Sequence, residues 1–480
     1  MNDKTDEKTG FEQKLERVLT QVIPDCSGLL SVDRLSGGAS QETYRIAATV
    51  AGKNQLFALR RSPGGEYVEP VAAHPGLRVE ALLMKSAHEA GVPEPQVYHV
   101  LTHEDDLGDG FIMEWLEGEA LGARIVRAQQ FEKIRPELAY ECGRILAKIH
   151  SIDLKKSGLD EMLAVIPPAE FIEQMWERYK LLNTPQPMID YAARWLNENL
   201  PDNDELCLVH NDFRNGNFMI SPDKIVAVLD WEVAHIGDPM RDLGWICTNS
   251  WRYNSDKPVG GFGEYEDLFR GYEEESGKKV DAAHVKFWEV FGSFWWAVGC
   301  LGFVEQYRNG PDQSVERPAV GRRSSECQVD CVNLLIPGPV ELTESVPLSD
   351  KDSSLDMPRA DELLVSVRDF LRAEVMSQTS GRTNFLARVA SNSVDIVVRE
   401  LMLGPGARAG ELSGLRVLYA LEKDDQETIE ELRWRLVNEL RDGSRSLDDE
   451  LLKKYLRNTV VNQIAIDQPR YSGFTRSQTF

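Results

Sequence analysis

Positive charge is what this sequence is short of: 54 Lys and Arg stand against 78 Asp and Glu in 480 residues, a formal net charge of -24. Nucleic-acid binding is driven by Lys and Arg that neutralise phosphates, so no nucleic-acid partner is expected. Cysteine is sparse as well. The seven, from Cys26 to Cys331, are odd in number and show no disulfide-framework spacing, which suits a reducing compartment. Long apolar runs are missing. The most apolar stretch, 290–304, lies between Glu289 and Glu305; it falls short of the roughly 20 residues a bilayer span needs and reads as a buried helix, so no membrane association is expected. The opening MNDKTDEKTG has no apolar segment before a cleavage site, and a cytoplasmic location is expected.

What is present is enough apolar residue, 42%, for two or three cores. Residues 31–62 alternate as strands around a turn-forming SGGAS, RVEALLMKSAHEA at 78–90 has helical periodicity, and FIMEWL at 111–116 reads as a buried strand. The chain then turns helical to about residue 336, interrupted by two short strands, FMI and IVAVLD, joined by SPDK. Residues 337–358 are rich in Pro, Ser and acidic residues, as a linker is, so few contacts are expected across it. Four helical segments follow, near 360–376, 381–403, 424–442 and 447–465. The expected class is α+β: a strand-rich small lobe at about 11–117 and a helical lobe at about 118–336 within a 1–336 unit, then a C-terminal helical bundle at 359–480. Its helices are amphipathic enough to serve self-association or to shield an apolar face of the first unit.

The chemistry concentrates in LVHNDFRNGNFMISPDKIVAVLDWEVAHIGDPMRDL, where His210-x-Asp212 precedes Asn217 by the H-x-D-x-x-x-x-N spacing of a kinase catalytic loop. Thirteen residues further, after the second short strand, stands Asp230. Folding 218–229 into a hairpin brings Asn217 and Asp230 together as hard oxygen ligands for Mg2+. Asp212 is placed to orient an acceptor hydroxyl and take its proton, and His210 to brace the loop. Asp238 and Asp242 read as structural, Asp238 as a helix cap before Pro239. His150 reads as a satisfied structural histidine, and the aromatics from Trp288 to Trp296 as helix packing. A protein kinase is excluded: the seven residues between Asp230 and Asp238 leave no room for an activation segment.

HNDFRNGN, LDWE and GDPMRDL together resemble the aminoglycoside phosphotransferase family, which implies a two-lobed kinase-like fold and phosphoryl transfer from ATP. By that resemblance Gly37, Gly38 and Ser40 in LSGGAS belong to the loop over the ATP phosphates, and Met113, Glu114 and Trp115 to the hinge that contacts adenine. Arg60 stands where relatives place the phosphate-binding lysine, with Glu80 as its helix partner. Arginine there departs from the pattern, since it presents a planar fork rather than a point charge. Asn211 also departs, standing where glycine is usual; asparagine tolerates the left-handed backbone this requires. The nearest branch resembles the kinase domains fused to acyl-CoA dehydrogenases, so a hydroxylated acyl compound or its CoA thioester is the first acceptor implied, ahead of an amino alcohol or aminoglycoside. A catalytically inactive nucleotide-binding scaffold is the remaining alternative. The C-terminal bundle resembles an uncharacterised domain appended to such enzymes.

Overall fold

The computed structural model describes residues 9–35, 41–68, 75–203, 205–345, 357–422 and 424–479. Helix α1 (Gly10–Val22) opens on a capping box in which Thr9 and Glu12 exchange hydrogen bonds, satisfying amides that the first turn leaves unpaired. It packs on a five-stranded antiparallel sheet of β1 (Cys26–Arg34), β2 (Glu42–Val50), β3 (Lys53–Arg61), β4 (Val97–Val100) and β5 (Gly110–Glu114), in the order β1-β2-β3-β5-β4. Alternation along β2 sends Tyr44, Ile46 and Ala48 inward with Phe57 and Leu59 of β3, giving the small lobe a core of its own. Helix α2 (Leu77–Glu89) crosses behind β4 and β5.

The large lobe is helical: α3 (Leu138–His150), α4 (Pro168–Leu181), α5 (Pro187–Glu198), then, after the short strands described below, α6 (Met240–Cys247), α7 (Tyr265–Ser276), α8 (Ala282–Asn309), α9 (Glu316–Arg322) and α10 (Ser324–Leu335). Helix α8 is long and apolar enough by composition alone to cross a bilayer, yet 67% of its apolar window is buried in the protein. Trp288, Phe291 and Phe294 are fully packed there, as helix packing requires. Helices α3 and α7 approach closely because Gly143 and Gly271 leave room for the opposing backbone.

The C-terminal region holds α11 (Ala360–Phe370), α12 (Gly381–Tyr419), α13 (Ile429–Asp442), α14 (Glu450–Asp467) and a short α15 (Ser472–Ser477). Two expectations need correction. The helix expected to stop near 403 runs on through Pro405 to Tyr419, because Glu411, Leu415 and Leu418 are buried on its later turns and packing outweighs the local break. The linker does not leave the two regions with few mutual contacts. Leu432, Leu436, Leu452 and Val461 join the same core as α5 and α10, Arg441 bonds Asp190 at 2.8 Å, and Tyr471 donates to Asp330 at 2.6 Å. Of the stretch read as linker, residues 346–356 lie outside the described residues, while Glu341 and Thr343 donate their amides to Asn458 and Asn462 of α14.

Candidate functional site

Four short strands build the site: β6 (Cys207–Val209), β7 (Phe218–Ile220), β8 (Ile225–Val228) and β9 (His235–Gly237). Strand β6 pairs with β9 and β7 with β8, both antiparallel, so loops 210–217 and 229–234 close at one end. The Leu229 amide donates to the Asn217 carbonyl at 2.7 Å, which sets Asp230 beside Asn217 as the expected hairpin requires. Asn211 and Asp230 both carry left-handed backbone, φ 65° and 71°. Such strain persists only where the surroundings over-determine it.

Those surroundings are visible. Asp242, fully buried at the start of α6, accepts the amides of His210 at 2.8 Å and Asn211 at 2.7 Å and bonds His150 at 3.1 Å. Burial alone would raise its carboxyl, but these hydrogen bonds and the neighbouring histidines hold it below the usual range. Arg241 donates to the Asn211 side chain at 3.0 Å. Burial pulls its guanidinium down to about 10, against the raising effect of Asp242 and Asp212. Asp238 accepts the Met240 amide at 2.8 Å, a cap as expected, and bonds His284 at 2.6 Å. His150 also bonds Tyr272 at 3.0 Å.

His210 is enclosed. Its Nε2–H donates to the Leu229 carbonyl at 3.1 Å, its Nδ1 accepts the Asp212 amide at 3.3 Å, and burial lowers its pKa, so it ties the two loops together as a neutral ring. Asp212 projects between them. Its Oδ1 accepts from Trp245 Nε1 at 2.7 Å and Arg214 Nε at 3.1 Å, and its Oδ2 accepts from the Asn217 amide nitrogen. Those bonds fix the carboxylate's orientation. Sequence reading missed Trp245 and Arg214. The arginine lies inside the loop motif at one of its variable positions, and the tryptophan is 33 residues away with only its place in the GDPMRDL helix to mark it.

From the small lobe, Arg60 on β3 reaches Glu80 of α2 at 3.1 Å and Asp230 at 3.0 Å, with Gln41 accepting from the same Nε at 2.9 Å. Burial pushes the Glu80 carboxyl up to about 7; Arg60 opposes the rise, while Asp230 and Glu232 add to it. One guanidinium thus links strand, helix and the metal-ligand candidate across both lobes. Met113 and Glu114 end β5 opposite Ala58 and Phe57. The Glu114 amide is already given to the Gln96 carbonyl at 2.8 Å, and Trp115 Nε1 donates to Glu117 at 2.7 Å. Gly37, Gly38 and Ser40 lie outside the described residues, though the Leu35 amide bonds the Thr43 carbonyl at 2.9 Å where their loop begins and ends. Among the described residues, Asn217 Oδ1 and Asp230 Oδ2 accept no hydrogen bond, and Asp230 is one-third exposed, so two hard oxygen donors remain free to fit a divalent cation.

Comparison with known proteins adds three findings. A family model described as "Phosphotransferase enzyme family" matches residues 31–277, and one described as "Domain of unknown function (DUF6285)" matches 377–471. Acyl-CoA dehydrogenase family member 11 of Gallus gallus is 30% identical over 249 residues, 49% of this chain and 30% of that protein. Its Pongo abelii counterpart is 26% identical over 457 residues, 85% of this chain and 55% of that one, so the chain spans only part of these curated relatives. A crystal structure of a putative aminoglycoside phosphotransferase from Ralstonia eutropha JMP134 shares the fold, with TM-score 0.53 and 24% identity over 66% of this chain and 95% of that one.

Proposed function

We propose, on the premise that this chain belongs to the phosphotransferase enzyme family and phosphorylates a small molecule, that its donor is ATP with magnesium and its acceptor a hydroxyl of an acyl compound or acyl-CoA thioester. The observation that carries this reading is the convergence of Asp212, Asn217, Asp230, Arg60 and Glu80 from both lobes onto one cleft.

Asp212 receives the acceptor hydroxyl. Two N–H donors hold its Oδ1, so the carboxylate is oriented before the acceptor arrives and takes the proton as the new O–P bond forms and the bond from the γ-phosphorus to the ADP oxygen breaks. His210 does not exchange that proton; it keeps the Asp212 and Asp230 loops in register. Asn217 and Asp230 would hold the divalent cation, whose charge offsets that of the transferring group. Arg60 supplies the fixed positive charge on the donor side, positioned by Glu80. An inactive scaffold has no use for this complete set.

The acceptor class follows from what occupies the aromatic faces near Asp212. Arg214 covers Trp251 at 4.2 Å and bonds Asp212, so a guanidinium already sits where a cationic amino alcohol would stack. That favours a neutral or anionic acceptor over an amino alcohol or aminoglycoside, in keeping with the names of the curated relatives. We also place the protein in a reducing cytoplasm, given that all seven cysteines are free. The test is magnesium-ATP turnover across hydroxyacyl thioesters, amino alcohols and aminoglycosides. Hydroxyacyl turnover is expected, with Asp212→Asn lowering the rate by about 10²–10⁴. Turnover of amino alcohols alone, or a near-normal rate in Asp212→Asn, would overturn the reading.

A further inference from the structure

A cavity of about 800 Å³ lies where the large lobe meets the C-terminal helices, between α9, the start of α10, the first half of α12 and the turn after α14. Its wall carries Arg322, Arg323, Arg372, Arg399 and Arg470 in a chain whose net charge is -24. Three of these are answered by carboxylates: Arg322 bonds Asp467 at 2.6 Å, Arg323 bonds Glu326 at 3.0 Å, and Arg372 pairs with Asp395, which Arg368 shares at 3.3 Å. The remaining lining carboxylate, Glu316, faces Arg382 at 3.6 Å.

Two arginines are left over. Among the described residues, Arg399 gives its guanidinium only to the carbonyls of Ile466 and Asp467, and Arg470 makes no ion pair. Burial holds Arg399 below its ordinary value; Asp395 and Asp467 oppose this, while the charges of Arg470 and Arg322 add to it. Among the described residues neither Arg399 nor Arg470 is hydrogen-bonded to a carboxylate, so both keep guanidinium donors that an anion can accept from. Arg399 shares its helix with apolar lining residues. Phe385, Val389 and Ile396 line the cavity at four- and seven-residue spacing along one face of α12. Apolar surface beside guanidinium groups suits a ligand with an apolar body and an anionic end.

The cavity is linked to the catalytic loop through one lining residue. Asn254 at its rim follows Tyr253, whose hydroxyl donates to the Asn215 carbonyl of the catalytic loop at 3.1 Å. The charges of Arg214, Arg323 and Asp212 all act on that hydroxyl. We infer that this cavity binds the phosphate end of a small phosphorylated amphiphile, with Arg399 and Arg470 as its anion ligands, and that the C-terminal helices thereby complete a binding site the kinase lobe alone lacks. The inference rests on the phosphotransfer reading only for the ligand's source, which is either the acceptor itself or a separate phosphorylated metabolite.

Calorimetric titration of the full chain with inorganic pyrophosphate, without magnesium or nucleotide, tests it. Arg470 is exposed and holds no carboxylate, so Arg470→Glu reverses a charge without removing an ion pair of the fold. It is expected to weaken pyrophosphate binding about tenfold at an unchanged melting temperature, whereas Arg60→Gln, in the nucleotide cleft, keeps this binding. Unchanged affinity in Arg470→Glu, or complete loss in Arg60→Gln, would overturn the inference. Because calorimetry needs no turnover, failure of the kinase reading would leave this result legible. With both readings intact, a raised acceptor KM at constant kcat in Arg470→Glu identifies the acceptor as the ligand, and an unchanged KM identifies a separate metabolite.

Discussion

Residues 207–242 and 381–419 are stretches of nearly equal length held by opposite means. The first has no strand longer than four residues, and its path is set by side chains bonded to backbone: Asp242 to two amides, His210 to a carbonyl and an amide, Asp238 to another amide. The second is one 39-residue helix that carries its own backbone ladder and buries only Ala387, Ser391, Gly404, Glu411, Leu415 and Leu418. Its tertiary grip is spread over contacts such as the Arg433–Glu411 pair. In the first stretch shape resides in single residues; in the second it resides in the sum.

That contrast is broken most severely at Asp242. Replacing it with alanine strands two buried amides and leaves the His150 ring without its carboxylate, so Asp242→Ala is expected to cost about 3–5 kcal/mol by denaturant unfolding. A loss below about 1 kcal/mol would mean the loop is held by something else. On the helix the sign reverses. Pro405 sits inside α12, where it lacks an N–H for the carbonyl four residues back. Pro405→Ala is therefore expected to raise stability by about 1–3 kcal/mol, read as a shift in the urea midpoint; a lower midpoint would show that the helix needs a bend there.

The smallest effect is expected at the seam between the large lobe and the C-terminal helices. Asp330 of α10 accepts from Tyr471 at 2.6 Å and from Asn249 at 2.7 Å, and burial pushes its carboxyl from 3.8 up to about 7. A carboxyl raised on folding takes up a proton between those values. Its contribution to stability is therefore complete below about pH 4 and lost as pH rises through 7. Asp330→Asn keeps an acceptor for Asn249 and does not titrate, so its melting temperature is expected to fall less steeply than wild type from pH 5 to 8. Parallel curves would remove Asp330 from the seam's pH response.

The same contrast explains what the sequence made legible. On the proposed reading, His210, Asp212, Asn217 and Asp230 stand out in the sequence because phosphoryl transfer uses those residue types at short, fixed spacing, and the structure brings them together because the hairpin 218–229 is local. Arg60 could be placed only by resemblance, since its partners Glu80 and Asp230 are 20 and 170 residues away. Trp245 and Arg214, which orient Asp212, carried no signal of their own. Helix α12 was read short because Pro405 and its flanking glycines speak locally for a break, while Leu415 and Leu418 oppose it only through packing. The docking of the C-terminal helices on α5 and α10 was hidden for a related reason. Amphipathic faces show that something is covered, but not what covers them.

On the proposed function, the cleft between Arg60 and Asp212 is a magnesium-nucleotide site with Asp230 as its charged ligand. Calorimetric titration of wild type and Asp230→Ala with ATP, each with and without magnesium, tests it most directly. Wild type is predicted to bind ATP tightly only with magnesium, and the variant to lose the magnesium-dependent part. Equal binding of magnesium-ATP by the two proteins, or none by wild type, would contradict it.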